Sequence, residues 1–274
     1  MSPRARLIVN ADDLGLHPGM NAGIRKAHLE GIVTSASLAP NGAAFDDAVR
    51  LAREAPSLAI GIHLTLVGEA PLSDPAALPT LAPGGRLPHY FTTLFRRLLL
   101  GRIAHDEIER EMTAQVARAL DAGIRVSHLD SHQHVHLHPT LLPITMRVAR
   151  RFAIGAVRAA RELDALSGIR PALLWMFARR AAGRLRANEM RTPDTCLGLA
   201  ETGALDERGL LALLNEIPDG SSELVCHPGI GTDAIARDYA WGFRWDDETR
   251  ALTRPGLRDL LRERGVVLIS YREL

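Results

Sequence analysis

Ser127-His128-Leu129-Asp130-Ser131-His132-Gln133-His134-Val135-His136-Leu137-His138 gathers five of the chain's 11 histidines, with one aspartate, into a single short tract. Neutral imidazole and carboxylate are the common protein ligands of a borderline divalent metal. The tract opens in the manner of a β-strand, and in an extended chain residues two apart point the same way. The spacing therefore predicts that His132, His134 and His136 converge on one side. A solvated polar loop is the bland alternative, and the tract alone indicates a metal and no more.

Working outward, short apolar runs alternate with segments of helical periodicity. The runs at 5–10, 33–39, 57–65, 126–130, 156–158, 195–199, 223–226 and 266–270 read as strands. Helices are expected at 18–31, 43–55, 91–100, 106–122, 139–152, 171–187, 206–215 and 255–264, with Pro18 suited to a first turn. Residues 12–16 read as a loop, 67–88 as a Pro/Gly-rich excursion that can serve as a lid, and Trp241 and Trp245 as loop residues. Alternating strands and helices argue for a parallel sheet. Eight candidate strands point to an α/β fold of the TIM-like (β/α) barrel kind, irregular in places, with residues 1–274 as a single domain.

Size and composition fit this reading. The chain has 274 residues and 46% hydrophobic content, enough for a large core. No apolar run approaches the roughly 20 residues that span a bilayer. Leu7-Ile8-Val9 is too short for the centre of a signal peptide. Cys196 and Cys226, the only cysteines, imply no disulfide framework, so a cytoplasmic protein is expected. A net charge of +1 gives no general attraction to nucleic acid. Lys26 is the only lysine, so arginine-rich patches need not mark a binding surface. Oligomeric state is not legible.

Polar residues recur at the predicted strand ends. Asp12 and Asp13 follow the first strand, and His63 lies near the end of the third. Asp130 and His132 follow the fourth, Arg158 ends the fifth, and His227 follows the seventh. Strand C-termini meet at the face of a barrel where active sites form. Taken singly, the Asp pair reads equally as a helix cap, His63 as a core histidine and His227 as a turn residue. Together they supply what metal-assisted hydrolysis needs: ligands that leave coordination positions open, a base and an acid.

The segments Leu7-Ile8-Val9-Asn10-Ala11-Asp12-Asp13-Leu14-Gly15, Gly61-Ile62-His63-Leu64, His128 to His136 and Cys226-His227-Pro228 resemble the YdjC/ChbG-like carbohydrate deacetylases. The likeness runs nearly the whole chain in the right order. Leu14 stands where that family commonly has Phe. Residues 156–162 and 184–199 also resemble the hopanoid-biosynthesis-associated, HpnK-like deacetylases. The resemblance implies that Asp13, His63 and His132 bind one divalent metal. It implies that Asp12 is the catalytic base, by similarity to the paired aspartates of NodB-type deacetylases, and that His227 is the general acid. Arg158 would orient Asp12 or bind substrate, while His128, Asp130, His134 and His136 would fix ligand orientation and tautomers. Mg²⁺ is the family's usual ion, although one Asp and two His suit Zn²⁺ or another transition metal.

The implied reaction removes the acetyl group of an N-acetylated amino sugar, giving acetate and the free amine. The HpnK-like likeness would make that substrate an N-acetylglucosaminyl hopanoid. Leu173 to Phe177 followed by Arg179, Arg180, Arg184 and Arg186, and residues 91–103 with Arg96, Arg97 and Arg102, would then rest on the inner face of a membrane. Chito-oligosaccharide or another glycan is the alternative substrate. A phosphoesterase or amidohydrolase using a second metal is the rival enzyme, and a non-catalytic metal- or glycan-binding protein the rival of another class.

Overall fold

In a computed structural model describing residues 5–161 and 169–274, the apolar runs lie side by side in one parallel sheet. Its strands are β1 (Ala5–Leu14), β2 (Ser35–Leu38), β3 (Ala59–Leu64), β4 (Val126–Ser131), β5 (Thr195–Leu197), β6 (Gly220–Cys226) and β7 (Val266–Leu268). The order across the sheet is β4-β3-β2-β1-β6-β5. Parallel strands covered on both faces are apolar almost throughout, and every residue of β1 except Arg6 is buried.

β1 is the hub. One edge pairs with β6 from Ala5 to Ala11. The other edge is shared, with β7 against Ala5–Leu7 and β2 against Asn10–Leu14. The sheet curls into the irregular, partly open TIM-like arrangement that sequence spacing suggests, although among the described residues not all eight candidate strands take a place in it. Two strands account for the difference. Residues 156–158 make only isolated bridges, Leu129 with Val157 and Ala156 with Arg191, across the gap between β4 and β5. β7 takes no place of its own in the ring, because it occupies the half-edge of β1 that the short β2 leaves free.

The helices α1 (Pro18–Leu29), α2 (Phe45–Glu54), α3 (Phe91–Leu99), α4 (His105–Asp121), α5 (Leu141–Arg151), α6 (Ile169–Ala187) and α7 (Glu207–Asn215) fall close to the expected spans. α8 (Thr232–Asp238), α9 (Trp245–Leu252) and α10 (Leu257–Glu263) complete the series. α8 and α9 lie where a loop was expected. Asp246, Asp247 and Glu248 charge the first turn of α9 favourably, and its leading Trp245 is buried. No described helix is long and apolar enough to cross a membrane.

The excursion after β3 is tied down. Buried Glu111 of α4 accepts the backbone N–H groups of Leu72 and Ser73, and buried Glu107 accepts those of Thr80 and Leu81. Breaking such charge-assisted bonds inside the protein is costly. Four backbone N–H groups of the segment are thus anchored on α4.

Candidate active site and metal centre

A regular strand would send Asp12 and Asp13 to opposite faces. The β1–β2 register shifts between Ala11 and Leu14, and Asp13 adopts a φ of 67°, so β1 continues through the pair as a bulge instead of ending before it. Bulges re-aim side chains in this way next to functional sites. Asp12 keeps the direction of Asn10, whose Nδ2 donates to Asp12 Oδ1 (2.9 Å) and to Ser37 Oγ (2.8 Å). Asp13 turns toward two imidazoles, 3.5 Å from His63 Nε2 and 3.2 Å from His132 Nδ1.

The histidine tract does not follow the period of a strand. β4 stops at Ser131, and His132–Leu137 winds as tight 3-10 turns with φ near 54° at both Gln133 and His134. The left-handed backbone at these two residues breaks the strand alternation and separates the imidazoles that a two-residue period would have aligned. His132 reaches Asp13 and His134 lines the cavity, but His136 turns away. His136 Nδ1 accepts from Ser131 Oγ (2.6 Å) while its Nε2–H donates to the Arg158 carbonyl (2.9 Å), which braces the tract against residue 158. Thus His132, His134 and His136 do not share a metal.

Asp13, His63 and His132 place one ligand atom each within 4.8 Å of one another. His63 is preset for that role. Its Nδ1–H donates to Asp130 Oδ1 at 2.8 Å, leaving Nε2 facing Asp13. A carboxylate on the far nitrogen is the usual orienting partner of a metal-binding histidine. Asp12, His63 and Asp130 are equally close together. That trio already has its cation, since Arg158 Nη1 lies 2.7 Å from Asp12 Oδ2 and 2.9 Å from Asp130 Oδ2. Among the described residues the Asp13 group has no such guanidinium, and its one oxygen and two nitrogen donors fit a borderline divalent ion with open positions for water and substrate.

Arg158 is fully buried among three carboxylates. It forks onto Asp12 with two bonds of 2.7 Å, touches Asp130, and gives Nε and Nη2 to Glu223 Oε1 at 3.0 and 2.8 Å. Glu223 Oε2 accepts from the Tyr271 hydroxyl (2.7 Å), and the Tyr271 ring stacks on His128 at 3.6 Å. His128 Nε2 meets Ser37 Oγ (3.1 Å), which donates to Asp130 Oδ2 (2.6 Å) and closes the network. A side chain at Gly61 would put its Cβ 2.3 Å from the His128 ring, so only glycine fits beneath it. His128 and Asp130 therefore support the site from behind. Sequence reasoning missed Asn10, Ser37, Glu223 and Tyr271. A glutamate inside the apolar run of β6 was the one available signal.

Charge follows from this packing. Burial opposes ionisation of Asp12 and Asp130, but Arg158 outweighs it and holds both carboxyls below their usual range. Asp13 is likewise held low against burial by the His132 hydrogen bond and the neighbouring imidazoles. Burial resists charge on His63 as well, yet Asp130, Asp12 and Asp13 raise it to about 9. Burial, helped by the nearby Arg158 charge and opposed by Asp130, drives His128 and His134 down to about 3 and His136 to about 4. Burial pushes Glu223 up, against the pull of Arg158.

His227 follows β6 and is buried, its backbone N–H bonded to Glu248 Oε2 (2.6 Å) and its ring edge-on to Phe243 at 5.2 Å. Its Nδ1 has no hydrogen-bond partner among the described residues. Asp12, Asp13, His63, His132, His134 and His227 all line one cavity of about 210 Å³, closed by Gln133, Leu199, Thr202 and Phe243. Arg158 reaches it through Asp12. Glu162 lies outside the described residues.

A barrel whose strand C-termini surround an aspartate, two imidazoles, a clamped second aspartate and a third histidine defines the class of metal-site hydrolases. The sequence places the chain more narrowly. The YdjC-like protein family matches residues 6–263, and this chain belongs to that family. It is similar to a carbohydrate deacetylase of Brevibacillus brevis, 32% identical over 98% of this chain and 99% of the relative. A chitooligosaccharide deacetylase of Klebsiella pneumoniae is 35% identical over 98% of both chains. A crystal structure from Enterococcus faecalis V583, described as a cellobiose-phosphate cleavage protein, superposes with a TM-score of 0.78 at 28% identity, covering 98% of each chain.

Proposed function

We propose that this protein is a metal-dependent N-deacetylase of an N-acetylated amino-sugar glycan of the chito-oligosaccharide class, releasing acetate and the free amine. The observation that carries the reading is one cavity holding a candidate metal triad, an ionised aspartate outside that triad, and a separate histidine. The substrate class is supported by the carbohydrate and chitooligosaccharide deacetylases among the relatives.

Asp13, His63 and His132 would hold one divalent ion, which when bound would supply Lewis acidity toward the acetyl oxygen and a water. Their nitrogen-rich donor set suits Zn²⁺ or a similar ion better than Mg²⁺, which favours oxygen. Asp12 takes the proton of the water that attacks the amide carbon. Arg158 fixes its orientation and keeps it ionised, which favours geometry over raw basicity. His227 gives a proton to the amine nitrogen as the carbon–nitrogen bond breaks. Amide and water become acetate and amine, with no other reactant.

A second reading, an N-acetylglucosaminyl hopanoid as substrate at a membrane surface, has one observation in its favour. Tyr90, Leu99 and Leu100 are exposed at the two ends of α3, beside Arg96, Arg97 and Arg102. The side chains of Leu173, Leu174 and Trp175 lie outside the described residues. Mass spectrometry of metal-reconstituted protein with N-acetylglucosamine, chito-oligosaccharides and a lipid-linked N-acetylglucosaminide tests both readings. Loss of one acetyl group from the oligosaccharides is expected. Loss from the lipid alone, with co-sedimentation on anionic liposomes, would transfer the case to the second reading.

A further inference from the structure

Beside the metal centre runs a row of side chains that the mechanism above does not use. The Trp241 ring lies 5.1 Å from the His132 ring, and the Tyr239 ring lies 4.9 Å from Trp241. The single proton of the Tyr239 hydroxyl lies within reach of two acceptors, Glu69 Oε1 (3.2 Å) and the Leu16 carbonyl (3.3 Å). Tyr239, Trp241 and Glu69 are all half-buried, so each keeps surface toward solvent. The aromatics rest on Leu16, Met20, Ala39, Ile235 and Trp245, an apolar cluster separate from the main core. Glu69 sits at the start of the segment that Glu107 and Glu111 anchor.

Aromatic packing alone would explain Tyr239 and Trp241, but it gives no reason for a carboxylate. Burial pushes the Glu69 carboxyl up in pKa, and the charge of Asp13 adds to the effect against the pull of Tyr239 and His132. A half-buried carboxylate beside an aromatic row, with the Tyr239 hydroxyl on one oxygen, keeps acceptor capacity for the hydroxyls of a ligand. We infer that Glu69, Tyr239 and Trp241 form the subsite that holds the sugar unit next to the one deacetylated, and so set the preference for oligosaccharide over monosaccharide. This rests on the deacetylase reading.

The chemistry of a pyranose matches the row. Its C–H face packs on an aromatic ring, and its rim of hydroxyls donates to a carboxylate and exchanges hydrogen bonds with a phenol. A hydrocarbon aglycone would use Trp241 and leave Glu69 unanswered.

The test compares N-acetylglucosamine, N,N′-diacetylchitobiose and an alkyl N-acetylglucosaminide with the metal-loaded protein and its Glu69→Gln, Tyr239→Phe and Trp241→Ala variants. Binding of the same sugars is measured by calorimetry, and folding by circular dichroism. The wild-type protein should favour the disaccharide. Glu69→Gln should lower the disaccharide-to-monosaccharide ratio of kcat/KM about tenfold, mainly through KM, with a matching loss of disaccharide affinity. Trp241→Ala should weaken both the disaccharide and the alkyl glycoside. Equal effects of Glu69→Gln on all three ligands, or no wild-type preference for the disaccharide, would overturn the subsite while leaving the deacetylase reading intact. Disaccharide binding that depends on Glu69 with no acetate released from any sugar would overturn the deacetylase reading and leave the subsite standing.

Discussion

Replacing Arg158 with Met tests the core of the site. The guanidinium is fully buried and touches Asp12, Asp130 and Glu223, all themselves buried. Methionine fills much of the same space but leaves three carboxylates facing one another with no cation. Removing one partner of a buried ion pair costs about 3–5 kcal/mol, because a charge is stranded in low dielectric. At roughly 2–4 °C per kcal/mol for a chain of this size, the melting temperature should fall by roughly 6–20 °C. The deficit should depend on pH with a definite sign. In the wild type, Asp12 and Asp130 titrate below their ordinary value of 3.8, so their contribution is complete above that pH and is lost as pH falls further. In Arg158→Met their folded pKa values rise above the unfolded ones, so the deficit is greatest at neutral pH and shrinks on acidification. Urea denaturation of both proteins across the acid-to-neutral range is the assay. A deficit under about 1 kcal/mol, the scale of a surface pair, and flat with pH would refute the reasoning.

Asp12→Asn should lower kcat about a thousandfold while the protein keeps its metal, since Asp12 is outside the ligand triad; elemental analysis beside acetate release checks it, and joint loss of both would contradict the division of roles. His63 is raised to about 9, so a metal ion entering near neutral pH must displace its proton. Apparent metal affinity should therefore rise about tenfold per pH unit up to that value, with one proton released in calorimetry run in buffers of different ionisation heat; no release would count against it. Gly61→Ala should destabilise the protein by about 1–3 kcal/mol, because its Cβ would meet the His128 ring at 2.3 Å, and an unchanged denaturation midpoint would refute that packing.

Much of the architecture was legible because a parallel sheet buried on both faces leaves continuous apolar runs, as in β1 and β3. What sequence could not supply was closure. The weakness of residues 156–158 as a strand, and the sharing of one β1 edge by β2 and β7, depend on lengths and registers set only by packing. The loop assigned to Asp12 and Asp13 is a bulged strand, since a positive φ at a non-glycine residue leaves no mark in composition. At the site, residues of unusual chemistry at strand ends stood out: Asp12, Asp13, His63, Asp130, His132, Arg158 and His227. Ser37, Asn10 and Tyr271 did not, because a serine, an asparagine or a tyrosine in a strand or near the chain end is ordinary until its partner is seen. The histidine tract misled through its period, because left-handed residues at Gln133 and His134 end the two-residue alternation of the strand.

Anomalous diffraction from crystals of the chelated protein, soaked in Zn²⁺ or Co²⁺, tests the central claim most directly. One peak is expected, about 2.0–2.2 Å from an Asp13 oxygen, His63 Nε2 and His132 Nδ1. A peak among Asp12, His63 and Asp130 instead, or none bound by Asp13, would contradict it.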